Sequence, residues 1–507
     1  MKKLHYIKNF LCVAAVLLLG LTACGEQPLP EGREPVILPA YVQTTTRLEQ
    51  FIAQGSDPTG AQLDGIIQSP YYEVFVDGSE MPVYAVPVTY GGPHSFTQLD
   101  CAGDQFPMGV EIVPSYEVTE AVVLPESLGV RAEVREGKVC FTAEDYGKFT
   151  VIFNGDYPKA YTLFIRPYEV PEVPAGYELI EYQSGIHFVD CIELTSNTML
   201  FLHSGALLIA KQPTAEEETP QTSSDWAGMP RWKPFISASY AENILIAGHG
   251  MIDFTNLDWH ARNPISITGC TNVSISGITL INAPEWNITV TLSKDVTVRE
   301  VIIFGYRQNS DGIAMVDTQN AVIENCFIRS GDDLFEVKSM YSDSKTGGQN
   351  ITYRNCIAWA DKCRAYGIIQ ETKNNISGVL YEGCSVLYRL ADWSEELGSL
   401  IVLVGDGGHI SDVTFRDMEI WQDATYAINV SLGPTDWSEG SVVGQIDNVL
   451  FENIAIRGNR NVRLRGAGGA PDHIIFRNVT VDGQKINSLE EFNLTVIQTV
   501  GEHITVE

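Results

Sequence analysis

Basic residues are scarce in this chain of 507 residues. It has 33 Lys and Arg against 64 Asp and Glu, which gives a formal net charge of −31 at pH 7. Nucleic-acid binding needs a basic surface that neutralises phosphates, so we expect no nucleic-acid partner. The sequence also lacks a glycine-rich phosphate-binding loop and a Ser-His-Asp order. The remaining composition, 44% hydrophobic and 19% charged, is that of a globular protein.

Cysteine pairs with zinc-binding spacing are absent, because none of the ten cysteines belongs to a C-x-x-C pair. We therefore expect no metal site, and nothing in the sequence indicates a cofactor. Cys101 and Cys140 could form a disulfide within one domain. Three further cysteines recur at one position of the repeat described below, where small buried side chains are expected: Cys326, Cys356 and Cys384.

Apolar runs long enough to span a membrane are absent as well. The longest N-terminal run, Phe10 to Gly20, follows the basic residues Lys2, Lys3 and Lys8 and is too short for a membrane helix. It leads into Leu-Thr-Ala and then Cys24. Residues 1–23 therefore resemble a bacterial lipoprotein signal, which implies cleavage before Cys24 and a lipid on its sulfur. An ordinary secretory signal is the alternative.

Both interpretations place the mature protein outside the cytoplasm. The lipoprotein interpretation predicts a cell-envelope location at the outer membrane, on either its periplasmic or its surface-exposed face. It predicts contact with the membrane through the N-terminal lipid only.

Two sequence patterns divide the rest of the chain. Residues 24–66 are weakly periodic and are interpreted as a tether and lead-in. Residues 67–174 contain short runs of alternating polar and apolar residues, separated by turns such as Asp77-Gly78 and Glu136-Gly137. Period-two alternation with turns about every ten residues predicts a small antiparallel β-sandwich.

Residues 175–507 contain an irregular repeat. Each unit reads polar, apolar, x, apolar, x, then Gly, Asn or an acid, then apolar, x, apolar. Units start at Asn243, Asn272, Asp295, Asn320, Asn350, Gly378, Asp412, Asn448 and His473. One such unit cannot bury its apolar side chains alone, but stacked units can. Because no helical pattern separates the units, the sequence predicts an all-β fold, a right-handed parallel β-helix of about 10 coils.

Three aspartates stand at one position of this repeat. Asp332 and Asp333 follow Asp311 by 21 and 22 residues and begin the same strand one coil later. In a regular strand, neighbouring residues point to opposite faces. Both members of the pair can serve one cleft only if the backbone turns there, and Gly331 makes a turn feasible.

Stacked carboxylates suggest a chemical role. Like charges at close range raise at least one pKa. A protonated carboxyl beside a carboxylate is the machinery of glycoside hydrolysis, in which one acid protonates the leaving oxygen and the other activates water or attacks. A solvated turn or a Ca²⁺ site is the structural alternative.

The motif around these acids resembles that of family 28 glycoside hydrolases, which are polygalacturonase-like. Asn309-Ser-Asp-Gly, then Gly331-Asp-Asp and Val337-Lys-Ser, are similar to the family's Asn-Thr-Asp-Gly, Asp-Asp and Ile-Lys-Ser. Family 49 enzymes, such as dextranase and isopullulanase, use a similar acid trio behind an N-terminal β-sandwich. The resemblance implies inverting hydrolysis, with Asp332 as general acid and with Asp311 and Asp333 holding the nucleophilic water.

The chain also departs from the family 28 pattern. Where that pattern continues with Gly-His-Gly and Arg-Ile-Lys, this chain has Tyr366 in the nearest matching place and no Arg-Ile-Lys. The basic pair would hold a uronate carboxylate, so a neutral α-linked glycan competes with pectin as the expected substrate. The expected substrate-binding residues are Asn309, Arg307, Lys338, Arg364, Tyr366 and Trp286.

Three functions thus remain open at the level of sequence. The first is an inverting glycoside hydrolase that acts on a polysaccharide. The second is a polysaccharide lyase on the same β-helix, with Lys338 or Arg364 as base, which would release an unsaturated uronide. The third is a glycan-binding β-helix without catalysis, which would release no reducing ends.

Overall fold

A computed structural model describes residues 66–91, 93–216, 218–222, 228–341, 347–439 and 444–507. The predicted signal peptide, Cys24 and the tether up to residue 65 lie outside the described residues. No helix among the described residues is long and apolar enough to span a membrane. Three short 3-10 helices occur in the described part: Gly103–Gln105, Glu126–Leu128 and Leu489–Glu491.

Two sheets precede the repeat region. The strands of the first, in spatial order, are Ile67–Gln68, Tyr84–Val86, His94–Cys101, Asp156–Pro167, Gly147–Phe153 and Ala121–Leu124. Those of the second are Ser79–Met81, Tyr72–Val76, Met108–Pro114, Lys138–Ala143 and Glu133–Arg135. All pairings are antiparallel except one, because Asp156–Pro167 runs parallel to His94–Cys101. Alternating residues of both sheets bury a shared core that contains Val74, Ile112 and Phe153.

The repeat region forms the predicted right-handed parallel β-helix, with three strands in a typical coil. Eleven strands of the described chain stack as one sheet: Ile192–Leu194, Ile236–Ser239, Ile265–Thr268, Ile288–Thr291, Ile313–Val316, Phe335–Ser339, Tyr366–Thr372, Leu400–Val404, Ile428–Leu432, Asn461–Gly466 and Asn493–Gln498. This sheet is called the cleft sheet below, because the candidate active site lies on its outer face.

The other two strands of each coil belong to a continuous sheet of 22 strands within the described chain. One row contains Glu178–Tyr182, Thr198–Leu202, Glu242–Gly248, Thr271–Ser276, Lys294–Arg299, Gln319–Glu324, Gln349–Arg354, Ile376–Glu382, Asp472–Arg477 and Ile504–Val506. The second contains Gly185–Val189, Ala206–Ala210, Met251–Asp253, Thr279–Ile281, Ile302–Phe304, Phe327–Ser330, Ile357–Ala360, Ser385–Arg389, Thr480–Val481 and Gln484–Lys485. His409–Ile420 and Gln445–Ile456 continue through both rows.

The core of the helix is built by identical positions on consecutive coils. Tyr353, Tyr381, Phe415, Phe451 and Phe476 form one aromatic column, with ring centroids 4.8 to 5.3 Å apart. That spacing matches the distance between hydrogen-bonded strands, so each coil covers the apolar side chains of the one before it.

Of the two predictions about cysteines, the buried position in the repeat is confirmed and the disulfide is wrong. Cys326, Cys356 and Cys384 are buried in the helix core, as the repeat predicted. Cys101 and Cys140 are both free thiols. They do not pair because Cys101 is buried between the sheets, whereas Cys140 lies between the inward residues Val139 and Phe141 on the opposite face of its strand.

Candidate active site

The three aspartates meet at the corner that leads into the cleft sheet. Asp311 precedes strand Ile313–Val316, Asp332 and Asp333 precede strand Phe335–Ser339, and Ile313 pairs with Phe335. Carboxylate oxygens of Asp311, Asp333 and Glu336 lie within 4.8 Å of one another. An oxygen of Asp332 is equally close to one of Asp333. All three aspartates line one cleft.

The Gly331 turn carries Asp332 and Asp333 into this cleft. A Cβ atom on Gly331 would lie 2.6 Å from Thr89 Oγ1 and 2.9 Å from the carbonyl oxygen of Arg307. Glycine is therefore needed for close packing, since the side-chain-free backbone lets a segment of the sandwich approach from behind. The sequence predicted the turn but not this contact.

Asp332 is the most accessible member of the trio. Its Oδ2 accepts a hydrogen bond of 2.9 Å from the Asn309 backbone N–H, and its Oδ1 accepts one of 3.0 Å from the Asp333 N–H. Burial, reinforced by the neighbouring charge of Asp333, raises the pKa of Asp332, although the Asn309 N–H opposes the shift. An accessible carboxyl with a raised pKa can hold a proton and donate it.

Asp311 lies deeper in the corner. Its Oδ1 is buried and has no hydrogen-bond partner within the described chain. Burial, with the charges of Asp332 and Glu336, raises the pKa of Asp311 well above its usual range. Asn287 was missed by sequence analysis, yet its side-chain Nδ2 donates to the Asp311 carbonyl oxygen at 2.9 Å and holds the backbone at this position.

Asp333 is held by Arg364 on the next coil. The Arg364 Nη1 lies 3.0 Å from Asp333 Oδ2, and the Arg364 backbone N–H donates to Asp333 Oδ1 at 3.0 Å. Both side chains are buried. The trio therefore contains one acid paired with a cation beside two acids with raised pKa values.

Glu336 is a fourth buried acid that sequence analysis did not identify. Burial, reinforced by Asp333, raises the pKa of Glu336 to about 8, although Lys338 opposes the shift. The Lys338 ammonium lies 3.1 Å from Glu336 Oε2 and 3.1 Å from Glu371 Oε2. It also lies 4.6 Å from the ring centroid of Trp286. Strand alternation could have identified Glu336, because Glu336 and Lys338 are two residues apart and point to the same face of the strand.

The cleft has a volume of about 920 Å³. Its floor is the outer face of the cleft sheet, including Thr268, Thr291 and Val316. Five aromatic side chains contribute to its lining: Trp232, Trp286, Tyr341, Trp393 and Trp437. Five basic side chains also line it: Arg231, Lys338, Lys362, Arg364 and Lys373. A cleft lined by aromatic, basic and acidic side chains fits a carbohydrate chain.

Tyr366 does not face the cleft, contrary to the sequence prediction. The strand register pairs it with Phe335, and their rings stack inside the helix with centroids 4.9 Å apart. Its hydroxyl donates to the Cys356 carbonyl oxygen at 2.7 Å. In the same register, Arg364 stands in line with Asp333.

Arg307 also lies away from the cleft. Its guanidinium donates to the carbonyl oxygens of Leu257 and Thr255 at 2.7 and 2.9 Å, so it joins two loops and is not available to a substrate. The remaining predicted residues, Asn309, Lys338, Arg364 and Trp286, do line the cleft. His260, which is fully buried, contacts Asn309 Oδ1 through Nε2 at 3.1 Å and orients that amide.

Two groups of side chains at this corner are spaced closely enough to hold a metal ion. They are Asp311 with Asp333 and Glu336, and Asp332 with Asp333 and Cys363. The Lys338 ammonium already supplies a positive charge beside Glu336, and Arg364 supplies one beside Asp333.

Comparisons with known proteins agree with the geometry. The sequence profile of glycosyl hydrolases family 28 matches residues 201–499. A "Probable polygalacturonase" of Vitis vinifera is 27% identical over 324 residues, which cover 57% of this chain and 63% of the relative. Exopolygalacturonase B of Aspergillus niger is 25% identical over 206 residues, which cover 36% of this chain and 43% of the relative. The matches thus span less than two thirds of these relatives.

A solved structure supports the fold. Dex49A from Penicillium minioluteum matches with a TM-score of 0.52 at 14% identity, covering 87% of this chain and 95% of that one. The extent of the match includes residues outside the region matched by the family profile. At this identity the likeness concerns the fold alone.

Proposed function

Since this chain belongs to family 28 of the glycosyl hydrolases, we propose that it hydrolyses α-glycosidic bonds of a polysaccharide with Asp311, Asp332 and Asp333. One observation carries the proposal. The three acids share one cleft, and their environments differ: two have raised pKa values and the third is ion-paired with Arg364. Different protonation states of neighbouring carboxyls are what acid–base hydrolysis requires.

Asp332 is the general acid. It is the most accessible of the three, and its raised pKa keeps a proton available. The proton passes to the glycosidic oxygen as the bond from that oxygen to the anomeric carbon breaks, and Asp332 is left as a carboxylate.

Asp333 and Asp311 hold the water that attacks the anomeric carbon. Asp333, which is ion-paired with Arg364, accepts a proton from the water as the water oxygen bonds to the anomeric carbon, and Asp311 orients the same water. Carboxylate oxygens of Asp332 and Asp333 lie within 4.8 Å of each other, and so do those of Asp311 and Asp333, which is closer than the ~6.5–9.5 Å usual for inverting enzymes. Inversion is therefore inferred from the water-holding pair and not from the separation. NMR of the first product anomer tests it.

The leading substrate class is an acidic, pectin-like polysaccharide. The relatives named above are polygalacturonases, and five basic side chains line the cleft. Lys362 forms no ion pair with a described residue, so its ammonium is available to a uronate carboxylate. Trp286 and Trp393 provide faces for sugar rings, and Trp393 is 59% exposed.

A neutral α-glycan is the second candidate. It is favoured by the absent Arg-Ile-Lys and by the ion pairs that already occupy the other cleft cations. These pairs are Lys338 with Glu336 and Glu371, Arg364 with Asp333, Arg231 with Glu285, and Lys373 with Glu439.

Lyase chemistry is disfavoured by the same pairs. A lyase needs a deprotonated Lys or Arg as base. The surrounding acids, with Glu336 first among them, raise the pKa of Lys338 well above its usual range despite burial. The Asp333 charge likewise raises the pKa of Arg364. Both residues are therefore held as cations.

We further propose that the enzyme works in the cell envelope, tethered by a lipid on Cys24. The proposal rests on the N-terminal sequence alone. Replacing Cys24 with Ala should move the protein from the membrane fraction to the soluble fraction, and unchanged fractionation would exclude the tether.

The decisive experiment measures reducing ends released from pectins, polygalacturonate, dextran and pullulan. Asp332→Asn should lower kcat on the active substrate by about 10²–10⁴-fold, since general acid–base groups contribute that much. Asp295→Asn is a matched control on an exposed corner, where its oxygen still accepts from Asn320. Equal activity of the two variants would refute the proposed role of Asp332, and an unsaturated product would establish the lyase.

A further inference from the structure

The N-terminal sandwich packs against the β-helix directly behind the acid corner, which is the corner that carries Asp311, Asp332 and Asp333. Its six-stranded sheet covers the outer side of the second strand row. Phe96 stacks on Phe304 with ring centroids 5.0 Å apart, and Phe164 packs edge-on to Phe327 at 5.2 Å. Strands Ile302–Phe304 and Phe327–Ser330 lead into the corners that carry Asp311 and Asp332. The apolar contact therefore ends where the catalytic corners begin.

A buried polar junction lies at that end of the contact. Arg329 and Asp361, both fully buried, form an ion pair with Nη2 and Oδ1 3.2 Å apart. Arg329 Nη1 bonds to His94 Nδ1 at 2.8 Å, and its Nη2 donates to the Tyr90 carbonyl oxygen at 2.8 Å. Buried charges are stable only when such partners are complete, so the helix depends on the sandwich to satisfy Arg329.

The junction holds consecutive coils at one point of the repeat. Arg329 stands three residues before Asp332, and Asp361 stands three residues before Arg364. The backbone N–H of Thr89 donates to Asp361 Oδ2 at 3.0 Å. Two successive corners that carry catalytic groups are thus tied to the same segment of the sandwich.

Thr89 extends this connection to the third corner. Its hydroxyl donates to the Tyr306 carbonyl oxygen at 3.0 Å, five residues before Asp311. The same hydroxyl fills the space that a Cβ on Gly331 would occupy. Between these corners, Ser310 Oγ and Ser330 Oγ lie 2.7 Å apart. A displacement of Thr89 would therefore reach both Asp311 and the Gly331 turn.

We infer that Thr89, Tyr90 and His94, here called the docking trio, position the catalytic acids, which makes the sandwich a working part of the active site. The docking trio touches no substrate and acts through the corners that it holds. This inference rests on the proposed hydrolytic function. Its physical reason is that acid catalysis depends on placement, and a misplacement of about 1 Å can cost about 10²-fold in rate.

The test compares Thr89→Val with Thr97→Val. Both variants replace a buried sandwich threonine whose hydroxyl donates to a carbonyl oxygen, at Tyr306 for Thr89 and at Pro82 for Thr97. Only the first bond reaches a catalytic corner. Thr89→Val should lower kcat about 10-fold with KM changed less than about 2-fold, because a displaced acid harms the transition state more than substrate binding. Thr97→Val should match the wild type in both constants.

Thermal unfolding measured alongside separates positioning from stability. Comparable losses of Tm in the two variants, with the kcat loss confined to Thr89→Val, support the inference. Thr89→Ser, which retains the hydroxyl, should restore kcat. Where Thr89→Val does not fold, Thr89→Ala removes the same hydroxyl and is assayed in its place.

Two results would overturn different claims. Equal kcat in Thr89→Val and Thr97→Val, with wild-type activity intact, would reject the positioning role alone. Absence of wild-type hydrolysis on every polysaccharide tested would reject the proposed function on which the inference rests.

Discussion

Two stacks of polar side chains run along the same β-helix. The side chains of one satisfy each other's hydrogen bonds, and those of the other do not. One lies at an exposed corner of the 22-stranded sheet, where Asn243, Asn272, Asp295, Asn320 and Asn350 occupy equivalent positions with positive φ. Their side chains bond mainly along the stack. The Asn272 amide donates to Asn243 at 2.6 Å, and the Asn350 amide donates to Asn320 at 3.2 Å. The sequence predicted turn residues here, and the structure shows a ladder.

The other stack is the acid corner, with Asp311, Asp333 and Arg364 on consecutive coils. An amide carries both a donor and an acceptor, so a stack of amides satisfies itself. Ionised carboxylates only accept, so stacking them buries unpaired oxygens such as Asp311 Oδ1 and raises pKa values. The same stacking of one coil on the next thus gives a structural ladder at one corner and a reactive group at the other.

The largest effect is expected when one aspartate of the acid corner is replaced by an asparagine. Asp311→Asn should lower kcat by about 10²–10⁴-fold, because the water loses a carboxylate neighbour. Its Tm at neutral pH should rise, since the amide avoids the cost of burying a carboxyl whose pKa is raised in the folded state. Activity assays and calorimetry check both. A variant that lost activity and stability together would show that Asp311 has a structural role instead.

A smaller effect should appear in the pH dependence of stability. The native pKa of Glu336 is about 8, against 4.5 for the ordinary group, so the folded state binds the extra proton. The contribution of Glu336 to the free energy of unfolding is complete below about pH 4.5 and is lost as the pH rises through 8. Glu336→Gln should therefore raise Tm progressively more from pH 5 to pH 9. Glu324→Gln, at a partly exposed ion pair with Arg354, is the control. A difference independent of pH would contradict the assignment.

The smallest effect is expected in the amide ladder. Asn350→Gly keeps the left-handed backbone accessible and removes one ladder bond, as Gly378 already does on the next coil. We expect a loss of about 0.5–1.5 kcal/mol in the free energy of unfolding, the worth of one hydrogen bond, and unchanged kcat. Chemical denaturation and the reducing-end assay measure the two quantities. Loss of activity would show that the two corners are coupled.

Sequence reasoning succeeded where the repeat is regular. The spacing of Asp311 and Asp333 corresponds to one coil, so their proximity followed from the period. It failed after Asp333, where the coil is longer and Tyr366, predicted to bind substrate, instead packs inside the β-helix. It also missed Glu336, because an acid inside a strand resembles an exposed residue until the neighbouring coils cover it.

The β-helix and the meeting of the acids follow from the order of residues alone, because a period of one coil places equivalent residues next to each other. Tertiary structure decided the protonation tendencies of Asp311, Asp332 and Glu336, because burial and neighbouring charges shift a pKa and neither is visible in the order of residues. It also decided the contact of Thr89 with Tyr306, two residues far apart in the chain. Packing between domains joins positions that no local pattern relates.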